Sequence, residues 1–309
     1  LYGVGSLMKG DGHISNIESV PHKTIGFNLA SNIGGLPRGK LIQIEGNSHV
    51  GKTTFIGEAI ASFQAQGDNV ALSDYEYAFD KAYGVKLGID MSSLYFSQME
   101  NAELGYEIII DMIKSGNFTA IFIDSLNMMV SKERVEKGIS DKSVAAEARV
   151  HDIALKKIKP MLSSYGVSLI GISQYRDNIG AMGAGNEKSL AGGNAWKFGA
   201  DMRIKLSRLK TVKDDDYFVN NVEIIKNKCG SPFRKEKWYC SLGNGTDHIR
   251  EVLEYGKEQG IISLSGSTYS HGDTKLGAGY NKVATFFEDN ADFLKQIEGE
   301  LYQKLGLKT

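Results

Sequence analysis

Residues 46–54 have the spacing of a phosphate-binding loop. They directly follow the apolar run 41–44, and the segment 54–61 after them has apolar residues three and four positions apart, which predicts strand, loop and helix. Glycines let backbone N–H groups surround phosphates, Lys52 supplies a positive charge, and the Thr53 hydroxyl can ligate Mg²⁺. The motif therefore predicts a site for a nucleoside triphosphate. Its residues are Gly46, Asn47, Ser48, His49, Val50, Gly51, Lys52, Thr53 and Thr54.

Three polar residues stand at or just past the ends of other apolar runs. Asp124 ends one such run and fits the aspartate that holds Mg²⁺ beside a phosphate loop, although it could instead cap a following helix. Glu76 follows another run, and the pattern leaves two roles equally open: polarising an attacking water or capping the next short helix. Gln174 follows a third run, where periodicity alone favours a polar strand end without a ligand.

The elements that must position these residues alternate along the chain. Runs that predict strands are 69–73, 93–96, 120–124 and 167–172. Helical periodicity covers 102–113 and 144–162. Alternation of strand and helix predicts an α/β fold with a mainly parallel central sheet flanked by helices.

The pattern changes after residue 202. Alternating runs there predict antiparallel strands that extend the same sheet, at 202–206, 218–226 and 235–241. We expect a boundary near residue 247. Two helical segments follow, at 248–259 and 284–305, with a short Gly- and Ser-rich connection between them. The C-terminal part is therefore predicted to be a small α+β domain.

Composition limits the possible functions. The chain has 309 residues, 41% of them hydrophobic, and a formal net charge of −1, so any DNA binding must come from local basic loops. Cys229 and Cys240 lack the spacing of a zinc site or of a disulfide framework. We find no apolar stretch near ~18 residues and no signal-peptide pattern, so we expect a cytoplasmic protein with no membrane partner.

Six blocks of sequence point further. They are Gly34-Gly35-Leu36-Pro37-Arg38-Gly39, Asp74-x-Glu76-x-Ala78-x-Asp80-x-x-Tyr83, Asp124-Ser125, Gln174 through Arg176 to Ile179, Gly192-Gly193-Asn194-Ala195-x-Lys197-Phe198, and Lys226-Asn227-Lys228-x-x-x-Pro232-Phe233. In these blocks the chain resembles the RecA family of recombinases over nearly its full length. The resemblance implies a RecA-like P-loop ATPase core at 34–247 and a small C-terminal domain at 248–309. It implies an N-terminal segment at 1–33, and the oligomerisation helix that relatives place before residue 1 is expected to be missing.

The resemblance also implies roles around the nucleotide. Glu76 would be the catalytic base, while Asp80 and Tyr83 would contact and stack on the adenine. Gln174 would sense the γ-phosphate and pass its presence to the adjoining DNA loop. Lys226 and Lys228, which project to the same side if both lie in a strand, would reach the ATP of the neighbouring subunit; otherwise they are two exposed strand lysines.

The DNA contacts implied by the resemblance fall in two loops. The first spans 136–144, with Arg149 on the following helix near the phosphate backbone, although its mixed charges are also typical of a solvated helix face. The second is the glycine-rich stretch 180–193. Its implied contacts are Arg176 on a phosphate, Ile179 as a wedge between bases, and Gly192, Gly193 and Asn194 as donors.

By resemblance, the protein is expected to be an ATP- and single-stranded-DNA-dependent recombinase with ATP and Mg²⁺ as cofactors. It would form a helical filament on single-stranded DNA, pair it with homologous duplex and exchange strands in recombinational repair. The expected location is the bacterial cytoplasm at the nucleoid, or the host cytoplasm if a phage encodes it. One alternative is a RecA-fold hexameric DNA helicase, which usually has an arginine where Lys226 and Lys228 stand. Another is a non-catalytic, nucleotide-switched DNA-binding filament protein.

Overall fold

A central sheet positions the phosphate loop in the computed structural model. The structure describes residues 17–137, 144–176, 189–190, 193–212 and 216–307. Within these residues the strands of the sheet lie in the order 245–246, 235–241, 217–227, 202–212, 41–46, 168–176, 120–124, 70–74 and 94–97, with 189–190 beside the end of 168–176. The parallel strands are β3 (Leu41–Gly46), β4 (Val70–Asp74), β5 (Leu94–Ser97), β6 (Ala120–Asp124), β7 (Ser168–Arg176) and β9 (Met202–Val212).

Antiparallel strands continue the sheet beyond β9. They are β10 (Tyr217–Asn227), β11 (Lys235–Ser241) and β12 (Gly245–Thr246), while β8 (Ser189–Leu190) pairs antiparallel with the end of β7. A second, small sheet joins β1 (Ser19–Val20) to β2 (Leu36–Pro37). The prediction of a mainly parallel sheet with an antiparallel extension is confirmed, except that β9, predicted as the first antiparallel strand, pairs parallel with β3 and is antiparallel only to β10.

Helices cover both faces of the sheet, and the central strands β3, β4 and β6 are buried along their whole length. On one face α2 (Lys52–Ala65) packs Phe55 and Ile60 against Ile44 and Phe122. The opposite face is covered by α4 (Ala102–Ser115), α6 (Val144–Tyr165) and α7 (Gly193–Gly199). Shorter helices are α1 (Ile25–Ser31), α3 (Lys81–Lys86) and α5 (Lys132–Lys137), and Leu126–Met128 form a 3-10 turn.

The C-terminal helices and strands pack around a further apolar cluster, which also includes Ile25, Val219 and Tyr239 from the preceding part of the chain. It lies between α8 (His248–Glu258), α9 (Tyr280–Asp289), α10 (Ala291–Leu305) and the sheet β13 (Ser263–Ser265), β14 (Thr268–His271) and β15 (Thr274–Ala278). The buried Glu251 carboxylate joins this part to the rest of the chain, because it accepts hydrogen bonds from Thr24 Oγ1 and the backbone N–H groups of Ile25 and Tyr239.

Two details of the C-terminal part differ from prediction. The single helix predicted at 284–305 is two helices, because Asn290 has a non-helical backbone (φ −131°, ψ 57°) between α9 and α10. The predicted Gly- and Ser-rich connection contains β13–β15 instead, which still gives an α+β arrangement. Among the described residues, we find no helix with the length and apolar character needed to span a bilayer.

Candidate functional site

The phosphate loop joins the end of β3 to the start of α2. Gly51 caps α2 with a left-handed backbone (φ 82°), which glycine adopts without strain. A Cβ at Gly46 would lie 2.5 Å from the carbonyl oxygen of Leu206, so this position requires glycine. Lys52 is buried and its Nζ donates to the Asn47 carbonyl oxygen at 2.7 Å. The loop therefore curves around the lysine and leaves the N-terminal end of α2 facing the cavity.

Asp124 lies beside the loop at the end of β6. Thr53 Oγ1 donates to Asp124 Oδ2 at 3.1 Å, which brings together two hard oxygen ligands. Burial, followed by the negative charge of Glu76, raises the pKa of Asp124 from 3.8 to about 7. Burial lowers the pKa of Lys52, although Asp124 and Glu76 oppose that shift. A carboxylate whose ionised form is disfavoured beside a second carboxylate is a site where a cation fits.

Glu76 and Gln174 face each other across this edge of the sheet. Glu76 Oε1 accepts from Ser125 Oγ at 2.6 Å and from Gln174 Nε2 at 3.2 Å. Gln174 Oε1 in turn accepts from Ser48 Oγ at 3.2 Å, so side chains connect the phosphate loop to Glu76 through Gln174. A cavity of about 330 Å³ is lined by Ser48, Glu76 and Gln174 together with Lys52, Thr53, Thr54 and Asp124.

Other carboxylates perform the capping that was one alternative for Glu76. Asp80 is the N-cap of α3 and accepts from the backbone N–H groups of Ala82 and Tyr83. Asp74 is buried and accepts from the N–H groups of Glu76 and Tyr77 at 3.0 Å. The Glu76 carboxylate is directed toward Ser125 and Gln174 instead.

The two residues assigned to adenine belong to α3 and its start: Asp80 is the N-cap of this helix and Tyr83 lies within it. The Tyr83 hydroxyl is hydrogen-bonded to Thr54 Oγ1, with 2.8 Å between the oxygens. Tyr83 is half-buried, and burial raises its pKa, so the hydroxyl stays protonated near neutral pH. Asp80 is exposed and its carboxylate caps the helix. Their contact with adenine stays a prediction.

The lysine pair lies away from this chain's own phosphate loop. Lys226 is opposite Arg203 in β9, whereas Gly46 is opposite Leu206 of the same strand. Lys226 and Gly46 are therefore roughly 10 Å apart along the direction of the strands. Lys226 Nζ donates to the Phe198 carbonyl oxygen at 2.8 Å. Burial, and then the charge of Lys228, lower the pKa of Lys226.

The expected strand geometry of the pair is only partly met. The register of β10 shifts between Ile224 and Lys226, and the strand ends at Asn227. Lys228 therefore lies just beyond the strand, and the alternation of strand side chains does not fix its direction. It is half exposed, its Nζ lies 3.8 Å from Asp201 Oδ1, and its backbone N–H donates to the Asp201 carbonyl oxygen.

The predicted DNA residues are only partly within the described chain. Arg149 is exposed on α6 and Asn194 is exposed on α7. The Arg176 backbone ends β7, two residues after Gln174, and Gly193 begins α7. The Arg176 side chain, Ile179, Gly192 and most of both predicted loops lie outside the described residues.

A buried hydrogen-bonded triad joins the helices that carry Arg149 and Asn194. Trp196 Nε1 of α7 donates to the Tyr106 hydroxyl at 3.0 Å. The hydroxyl oxygen is also hydrogen-bonded to His151 Nδ1 of α6, 2.6 Å away, and the tautomer of the imidazole decides which of the two groups donates. Tyr106 therefore fixes α7 against α6.

Sequence reasoning missed the residues that hold Gln174 and Glu76 in place. Asn127 Oδ1 accepts from the Gln174 backbone N–H at 2.7 Å, and Asn127 Nδ2 donates to the Gln174 carbonyl oxygen at 3.2 Å. Ser125 donates to Glu76. The position of Ser125 directly after Asp124 was a signal that it lies near the site, but nothing local marks Asn127.

Comparison with known proteins gives a consistent result. The family model for the RecA N-terminal domain matches residues 1–247, and the model for the RecA C-terminal domain matches residues 250–306. The chain is 38% identical over 311 residues to Protein RecA of Bacteroides thetaiotaomicron, covering 99% of this chain and 94% of that protein. It is 37% identical over 311 residues to Protein RecA of Cytophaga hutchinsonii, covering 99% and 87%. Protein RecA of Clostridium novyi is 34% identical over 312 residues, covering 100% and 89%.

Proposed function

The chain belongs to the RecA family, and from this premise we propose how its residues perform the family's ATP-dependent DNA chemistry. It is an ATP- and single-stranded-DNA-dependent recombinase that assembles into helical filaments, pairs single-stranded with homologous duplex DNA, and exchanges strands. The observation that carries the proposed site is the convergence of the phosphate loop, Glu76 and Gln174 on one cavity. Such a cavity can link hydrolysis of a triphosphate to a DNA-binding loop.

The domain boundaries are proposed to follow the sequence. Residues 34–247 form the ATPase core and residues 248–309 form a small C-terminal domain, with residues 1–33 as an N-terminal segment. Support comes from the apolar cluster around α8–α10, most of whose buried residues follow residue 247, and from the two family models, which meet between residues 247 and 250.

Hydrolysis is proposed to depend on residues at the ends of β3, β4 and β6. Lys52 and the loop backbone bind the phosphates of ATP, and Thr53 and Asp124 hold Mg²⁺. When bound, Mg²⁺ would supply positive charge that offsets the negative charge of the phosphate oxygens and of the Asp124 and Glu76 carboxylates. Glu76 accepts a proton from the attacking water, and Ser125 orients the Glu76 carboxylate by its 2.6 Å hydrogen bond.

Gln174 is proposed to report the γ-phosphate to the DNA loop. Its amide bonds to Ser48 and Glu76, both of which border the space for the γ-phosphate. A phosphate oxygen accepts hydrogen bonds, so it competes with Glu76 for the Gln174 Nε2 donor. Arg176 follows two residues later, so a change at Gln174 lies close to the start of the proposed DNA loop. Arg149 and Asn194, with Ile179, Gly192 and Gly193, complete the proposed contacts with single-stranded DNA.

Lys226 and Lys228 are proposed to act on the ATP of a neighbouring subunit. Their distance from this chain's own loop argues against action within one subunit. The positive charges of Lys226 and Lys228 repel each other, so an anion bound between them would be stabilised. In a head-to-tail filament each lysine pair then completes the next subunit's site, which makes ATP an interface ligand.

Glu76→Gln tests the hydrolytic part of this proposal. The amide keeps the size and an acceptor oxygen for Ser125 but cannot take a proton from water. ATP-dependent binding of single-stranded DNA, measured by fluorescence anisotropy, should persist, while ATP turnover should fall by about 10²-fold or more. Glu107→Gln, on the exposed face of α4, is the matched control and should retain parental turnover. Turnover by Glu76→Gln at the parental rate would overturn the assignment of Glu76 as base.

A further inference from the structure

Tyr175 lies between the proposed γ-phosphate sensor and the proposed DNA loop. Its hydroxyl donates to Glu45 Oε1 at 2.6 Å. Glu45 is the residue directly before Gly46, so this bond joins the end of β7 to the last residues of β3 ahead of the phosphate loop. The connection is independent of the one that runs through Ser48, Gln174 and Glu76.

The two connections are on opposite faces of the same strand. Successive side chains of β7 point to opposite faces, so Tyr175 and Ser173 share one face and Gln174 occupies the other. Glu45 is the register partner of Ser173, and the Gln43 side chain donates to Ser173 Oγ at 2.8 Å on that face. The end of β7 is therefore held by side chains from both sides.

Glu45 is a well-supported acceptor for Tyr175. It is only 2% exposed, and its Oε2 accepts from Arg203 Nη2 at 2.6 Å and Arg203 Nε at 3.2 Å. Its charge is therefore compensated while Oε1 remains directed at the tyrosine. Burial, and then the hydrogen bond to Glu45, raise the pKa of Tyr175, so the hydroxyl remains a donor across the working pH range.

We propose that Tyr175 is a positioning residue that carries the nucleotide state from Gln174 to the DNA loop. The inference rests on the proposed roles of Gln174 and Arg176. Because Tyr175 anchors one face of the strand to Glu45, a change of partner at Gln174 on the other face rotates the strand end about that anchor. Arg176 then occupies different positions with and without a γ-phosphate. Without the anchor, Gln174 can change partners by local side-chain rearrangement. The displacement of Arg176 between the two nucleotide states is then smaller.

Tyr175→Phe removes only the hydroxyl, and Glu45 keeps both hydrogen bonds from Arg203, so the fold should persist. The measurement is the affinity for a fluorescent oligo(dT), by anisotropy, with a non-hydrolysable ATP analogue and with ADP. The ratio of the two affinities should fall by about tenfold in the variant, as expected for loss of one charge-assisted bond. Glu45→Gln weakens the same bond from the acceptor side and should lower the ratio by about threefold. Tyr165→Phe, exposed at the C-terminal end of α6, is the control and should keep the parental ratio.

The outcomes separate this inference from the function on which it rests. A parental ratio near one would contradict the proposed nucleotide control of DNA binding itself. A large parental ratio that neither Tyr175→Phe nor Glu45→Gln alters would overturn the role of Tyr175. Equal loss of affinity in both nucleotide states would show a purely structural contribution and would also overturn it.

Discussion

Replacing Asp124 with asparagine tests whether the charge held at the nucleotide site opposes folding. The carboxyl is 8% exposed, and burial, followed by the charge of Glu76, raises its pKa from 3.8 to about 7. Asparagine keeps the shape and an acceptor oxygen for Thr53 but carries no charge. The variant should therefore have a larger free energy of unfolding than the parent when no nucleotide is bound, although it should lose ATP turnover.

The raised pKa gives the sign and size of the effect. Below pH 3.8 the carboxyl is protonated in folded and unfolded chains alike, so its ionisation does not affect stability. Between pH 3.8 and about 7 the unfolded chain gives up this proton more readily, so the free energy of unfolding falls as the pH rises. A pKa change of this size lowers the free energy of unfolding by roughly 4 kcal/mol above pH 7 and by roughly 1.5 kcal/mol at pH 5.

Urea unfolding followed by circular dichroism at pH 5 and pH 8 measures this difference. The advantage of Asp124→Asn should be larger at pH 8 by roughly 2–3 kcal/mol. Asp111→Asn, on the exposed face of α4, is the control and should stay within about 0.5 kcal/mol of the parent at both pH values. If the parent were as stable as Asp124→Asn at pH 8, or if the advantage did not change with pH, the reasoning about Asp124 would be refuted.

Two further predictions concern the lysine pair and the buried triad. Lys52→Ala and Lys228→Ala should each be inactive alone. An equal mixture of the two variants should recover up to roughly a quarter of parental ATP turnover. This is the frequency at which random head-to-tail order places an intact phosphate loop beside an intact Lys228. No recovery on mixing would contradict action across the interface. Tyr106→Phe should lower the free energy of unfolding in urea by roughly 2 kcal/mol, because Trp196 Nε1 and His151 Nδ1 lose their partner. A change below about 0.5 kcal/mol would show that the triad does not stabilise the packing of α7 on α6.

The sheet and the phosphate loop could be predicted because their signals are local. The loop needs glycines, a lysine and a threonine at fixed spacing between a strand and a helix, and all of these lie within residues 41–61. Glu76 was different: the pattern left catalysis and capping equally open. The structure shows Asp80 capping α3, while the Glu76 carboxylate faces Gln174 from 98 residues away in the sequence.

The remaining features depend on packing between distant segments. Tyr175 and Glu45 are 130 residues apart, and each taken alone has the pattern of an ordinary strand residue. The position of Lys228 depends on where β10 ends after the register shift near Lys226, which periodicity does not indicate. Asn290 divides a segment with otherwise continuous helical periodicity, because its backbone leaves the helical region.

The most direct test of the central claim is ATP turnover by the protein with and without single-stranded DNA. If the cavity between the phosphate loop, Glu76 and Gln174 is coupled to the DNA loop, DNA should raise the rate by at least about tenfold, which corresponds to an activation free energy lower by about 1.4 kcal/mol. Duplex DNA of the same sequence serves as the comparison. Turnover that is the same with and without single-stranded DNA would contradict the account.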